Sequence, residues 1–109
     1  SVVDDHVARA ALQPVGDAGA APAPPLQLEL GTSPAQLTIV NTTGSPNPYY
    51  VQVSNPHRLP VTIFAITLTP GTNPPPSYAI WPPGTTCAVG MKLLAGGTCT
   101  IELVKPLPA

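Results

Sequence analysis

From Leu26 onward, apolar and polar residues alternate in short runs. Leu26, Leu28 and Leu30 alternate with Gln27 and Glu29, the period of two expected of a half-buried strand. Residues 31–34 read as a turn, and Gln36 to Val40 as a second strand that stops at Asn41-Thr42-Thr43-Gly44. Tyr49, Val51 and Val53 alternate with Tyr50, Gln52 and Ser54 until Asn55-Pro56 ends the run. Val61 to Leu68 is rich in β-branched and aromatic residues, as strands prefer, but it is apolar on both faces. That pattern predicts a central strand or a bulge. Short strands are expected at 78–81 and 91–94. Cys99, Ile101 and Leu103 alternate with Thr98, Thr100 and Glu102 after the Gly96-Gly97 turn. About seven short strands separated by turn signals predict an antiparallel sandwich or barrel. No helical period alternates with them, so a parallel α/β sheet is not expected.

The first 25 residues follow a different pattern. They carry Asp4, Asp5 and Asp17, then run into Ala18-Gly19-Ala20-Ala21-Pro22-Ala23-Pro24-Pro25, a linker composition. Asp4 to Leu12 has the composition for a short helix capped by Asp4 or Asp5, but so short a helix is marginal alone, and the segment is expected to be mostly mobile. The division expected is a mobile segment and Ala/Pro linker over residues 1–25, followed by one β-domain over residues 26–109.

Composition narrows the function classes. Hydrophobic residues make up 43% of the chain, enough for a core, while charged residues make up only 8%, against roughly 25% in an average domain. The formal net charge is −1 and Arg9, Arg58, Lys92 and Lys105 are scattered. Without a basic excess, neither nucleic-acid binding nor a polybasic membrane contact is expected. No apolar run approaches the ~20 residues of a membrane span. A start at Ser1 is what removal of an export leader would leave, and trimming would leave the same. Seventeen prolines mark loops and argue against helices. Pro74, Pro75 and Pro76 fall in a loop, 70–77, that is expected to be exposed and extended.

Cys87 and Cys99 are the only cysteines. His6 and His57 lack metal-ligand spacing to them, and no neighbouring His or Cys-x-x-Cys pair supports thiol catalysis. A disulfide and two buried thiols remain. The low charge and Thr/Pro-rich composition point to export, which favours the disulfide.

The order of several short motifs resembles a known family. Tyr50-Val51-Gln52-Val53-Ser54-Asn55 is followed by Leu59-Pro60-Val61-Thr62-Ile63, Ile66-Thr67-Leu68 and Cys87. Leu94-Ala95-Gly96-Gly97-Thr98-Cys99-Thr100-Ile101-Glu102-Leu103 completes the series. Over residues 49–104 this is similar to bacterial immunoglobulin-like domains of the choice-of-anchor D type, related to ASPM–SPD-2–Hydin and major-sperm-protein-like modules. The resemblance implies an immunoglobulin-like antiparallel β-sandwich of about seven strands with one disulfide. It implies a structural or protein-contact role and carries over no catalytic residue.

Candidate chemistry is sparse. Asp4, Asp5 and His6 read as a solvated terminus rather than a metal site. His57 and Arg58 read as a polar hairpin tip, with binding as the alternative. Serines 1, 33, 45, 54 and 77 stand in no nucleophile elbow. Glu29 and Glu102 fall on polar strand faces, so a catalytic carboxylate pair is not expected. Gly96-Gly97 lacks a phosphate loop's lysine, and Asn41-Thr42-Thr43 is a formal glycosylation triplet. Trp81 is expected in the core beside the disulfide. The alternative is a contact surface of Pro74, Pro75, Pro76, Tyr78 and Trp81. The expectation is a non-catalytic, cofactor-free, exported monomer, periplasmic or at the cell surface, whose partner is another protein. A pilus-type subunit and a small inhibitor acting through residues 70–77 are the alternatives.

Overall fold

The structure is a computed structural model that describes residues 6–12, 25–40, 48–69 and 78–104. Eight strands are formed among them: β1 (Val7–Ala11), β2 (Leu26–Glu29), β3 (Ala35–Val40), β4 (Tyr49–Ser54), β5 (Val61–Thr69), β6 (Ala79–Ile80), β7 (Lys92–Leu93) and β8 (Thr98–Val104). One short 3-10 turn, Pro82–Gly84, follows β6. The chain is all-β across these residues, as its alternation predicts.

The strands form two four-stranded sheets, ordered β1-β3-β5-β7 and β2-β4-β8-β6. Each strand in turn belongs to the sheet opposite its predecessor. Where each crossing also reverses direction, strands i and i+2 in one sheet run the same way. Accordingly β1–β3, β3–β5 and β2–β4 are parallel. Direction is kept rather than reversed between β6 and β7, and β4–β8, β5–β7 and β6–β8 are antiparallel. This corrects the expected antiparallel sandwich of about seven strands: the sheets are mixed and hold eight. Alternation along a strand does not encode the direction of its neighbour.

Alternate residues of both sheets meet in one buried cluster. Leu37, Ile39, Val51, Val53, Ile63, Ile101 and Leu103 have no exposed surface. Burial of each such side chain contributes about 1.5–3 kcal/mol. Tyr49 and Tyr78 add an edge-to-face ring pair with centroids 6.0 Å apart.

Strand β5 lies between β3 and β7 and also carries a bulge. Ala35 pairs with Ile63, but Gln36 pairs with Ala65, so Phe64 is skipped. Inward positions are Val61 and Ile63 before the bulge, and Ile66 and Leu68 after it. One extra residue changes the phase of a period-two pattern. This explains the apolar character of both faces and leaves Phe64 outside, 61% exposed.

Residues 7–11 form a strand, where the sequence predicts a mobile segment with a marginal short helix as its one structured option. β1 pairs with β3 from Val7↔Gln36 to Ala11↔Val40. Ala8 and Ala10 pack on the core, and Leu12 is buried. The open edge of β3 supplies ladder hydrogen bonds that a two-turn helix lacks. β1 therefore joins the first sheet from a position before the expected boundary at residue 26.

Candidate functional site

The disulfide is formed. Cys87 and Cys99 are bonded across a sequence separation of 12, with Cα atoms 5.1 Å apart, within the range a disulfide needs. Both residues are buried. Cys99 faces inward on β8, and Cys87 sits on the connection from β6 to β7. Thr86 and Cys87 donate backbone N–H groups to the Thr100 carbonyl at 2.8 and 3.2 Å. The connection is thus tied to β8 by hydrogen bonds and a covalent link.

Tyr78 and Trp81 separate. Inward positions at this edge are Tyr78 and Ile80, so alternation turns Ala79 and Trp81 outward. Tyr78 is 4% exposed and lies against Tyr49, so it offers no contact surface. Trp81 is 47% exposed, which corrects its expected place in the core. Its backbone N–H donates to the Glu102 carbonyl at 2.8 Å, prolonging the β6–β8 ladder by one residue. Its carbonyl accepts from Thr85 Oγ1 at 2.8 Å and Gly84 N at 3.3 Å. The exposed indole therefore stands on a backbone held from both sides. Pro74, Pro75 and Pro76, and the wider 70–77 loop, lie outside the described residues, as do Asn41-Thr42-Thr43, Asp4 and Asp5.

Residues 55–60 connect β4 to β5 across the two sheets, so His57 and Arg58 do not cap a hairpin as expected. Asn55 organises the crossing. Its Nδ2 donates to the Leu59 and Leu93 carbonyls, both at 2.9 Å, and its Oδ1 accepts from His57 N at 2.8 Å. Its backbone N–H donates to Gly97 O and its carbonyl accepts from Gly96 N, both at 3.0 Å. Gly96 has φ +75, a conformation that glycine adopts without strain. Asn55 was legible in the sequence only as a strand terminator, since its partners are distant in sequence.

Beside this crossing lies an open depression of about 410 Å³, lined by Thr32, Ser33 and residues 57–61. His57 Nε2 is 2.8 Å from the Leu30 carbonyl. A carbonyl only accepts, so this nitrogen carries the hydrogen. Ser33 Oγ accepts from Thr62 N at 3.1 Å. His57 and Ser33 share the depression, each with a backbone partner of its own. His6 Nδ1 reaches the Thr32 carbonyl at 3.0 Å, bringing β1 to the same rim. Among the described residues, no three His, Cys, Asp or Glu side chains are grouped as a metal site, and no helix is long and apolar enough to cross a membrane. Glu29 and Glu102 lie on β2 and β8, with β4 between them.

No protein-family model, curated protein or solved structure matches this chain.

Proposed function

We propose that this chain is a non-catalytic, exported, immunoglobulin-like module that holds another protein at its surface. The observation that carries the reading is Trp81, a large aromatic held outward on a hydrogen-bonded turn. Exposed aromatics on rigid supports are the residues around which protein contacts are built. The buried disulfide is compatible with an oxidising compartment.

In this reading the likeness to choice-of-anchor D modules rests on the order of the motifs along the chain. The strand-ending Asn55 and the Gly96-Gly97 turn, two pieces of the motif series, are hydrogen-bonded directly to each other. The mixed sheets depart from the antiparallel pattern, so the reading rests on motif order and packing rather than on topology. A pilus-type subunit needs an arm free to enter a neighbour, and β1 pairs within its own chain instead. We therefore favour a monomer that binds through its surface.

A photo-crosslinking residue at position 81, introduced into the chain in its native envelope, tests the reading. The expected result is a discrete protein adduct at 81 that is missing when the crosslinker sits at Arg9 on the other sheet. Absence of an adduct at 81 sinks it.

A further inference from the structure

Three outward residues align across the second sheet. Tyr50 on β4 is the register partner of Glu102 on β8. Trp81 continues the series Ala79↔Val104 and Ile80↔Leu103 and donates its N–H to the Glu102 carbonyl. Buried neighbours fix the direction of each: Tyr49 and Val51 beside Tyr50, Ile101 and Leu103 beside Glu102, and inward-packed Ile80 beside Trp81. Adjacent strands lie about 4.8 Å apart, so Glu102 stands in the row between two aromatic positions separated by about 10 Å at their base. Tyr50 and Trp81 are 40% and 47% exposed.

Gly84 marks where the carboxylate lies. Among the described residues only Gly90 and Gly96 have positive φ, so the backbone at Gly84 does not itself call for glycine. A Cβ at Gly84 would run into Glu102 Oε1. Glycine here leaves the room in which the carboxylate lies, beside the turn that begins at Trp81.

Charge completes the pattern. Both acids of the described residues, Glu29 and Glu102, belong to the second sheet. Arg9 and Lys92 belong to the first, and Arg58 to the crossover. No described cation therefore shares the face of Glu102.

We propose that Tyr50, Glu102 and Trp81 form a site for the guanidinium of an arginine side chain on the protein partner. A guanidinium stacks on an aromatic face while its N–H fork meets a carboxylate, which a compact ammonium does less well. The site deepens the protein-contact reading and rests on it for the source of the arginine.

The test titrates N-acetyl-arginine amide onto the oxidised full-length chain. It follows backbone amide shifts and the fluorescence of Trp81, the only tryptophan. Saturable shifts are expected around residues 50, 81, 84 and 102. The lysine and uncharged citrulline analogues should bind more weakly, citrulline by about fivefold. Glu102→Gln and Gly84→Ala should each weaken arginine binding while far-UV circular dichroism stays unchanged. The wild-type ligand series decides the matter even if a variant fails to fold. Shifts that are absent, scattered over the surface, or equal for arginine and either analogue overturn the site. A protein adduct at position 81 without arginine binding overturns the site and leaves the protein-contact reading standing. Arginine binding without an adduct does the reverse.

Discussion

Asn55 and Trp81 show how differently two conspicuous side chains are used. Asn55 is 1% exposed and bridges three backbone groups through its side chain. Replacing it by Ala strands the Leu93 carbonyl in the interior and releases the other two. Leaving buried polar groups unpaired costs about 1–3 kcal/mol each. Asn55→Ala is therefore expected to lower stability by about 3 kcal/mol, read as a shift of the urea midpoint with unchanged slope. Trp81→Ala removes an exposed side chain and is expected to change stability by no more than about 0.5 kcal/mol. Tyr78→Ala, three residues earlier, empties a core site and is expected to cost about 3 kcal/mol or more. Equal losses for Tyr78→Ala and Trp81→Ala in the same denaturation series would overturn this division. The sequence gives both residues one aromatic label. Strand parity, counted from the β6–β8 pairing, separates them.

At the scale of elements, β5 carries the clearest lesson. Its two-faced apolar pattern was legible as a central strand or a bulge, and β5 is both. Phe64 is the residue that absorbs the change of phase. Phe64→Thr keeps the backbone count and a strand-compatible side chain at an exposed position, so thermal unfolding should be nearly unmoved. Deleting Phe64 should leave cooperative folding intact, because Val61, Ile63, Ile66 and Leu68 then alternate inward without a skip opposite Ala35 and Gln36. Loss of the cooperative melt in the deletion variant would show that the sheet requires the bulge itself and not only the inward set. β1 illustrates the opposite limit. Ala-rich residues 7–11 lean to helix by propensity alone, and pairing with the edge of β3 overrides it.

The whole molecule depends on a clamp at one end. Cys87–Cys99 ties the connection between the two sheets to the strand at the centre of the second. In the chain-entropy model a loop of this length contributes roughly 3 kcal/mol, a large part of the ~5–15 kcal/mol of a small domain. Reduction should therefore lower the unfolding midpoint strongly, and Cys87→Ala with Cys99→Ala should match the reduced wild type. Because both sulfurs are buried, reduction should be slow without denaturant and fast with it, measured by the rate of thiol labelling.

By itself the sequence determined the all-β character from residue 26 onward, most strand positions and the inward set on β2, β4 and β8. These follow from a period-two alternation that any short window contains. It also narrowed the cysteines to a disulfide or two buried thiols, from their number and surroundings. Tertiary structure decided which sheet each strand joins, the parallel pairs, the strand at residues 7–11 and the outward turn of Trp81. Those depend on hydrogen bonds between segments far apart in sequence, as between His57 and Leu30 or Trp81 and Glu102. A strand's own residues specify a face to bury. They do not specify the neighbour beside it, and the row of Tyr50, Glu102 and Trp81 exists only once that neighbour is chosen.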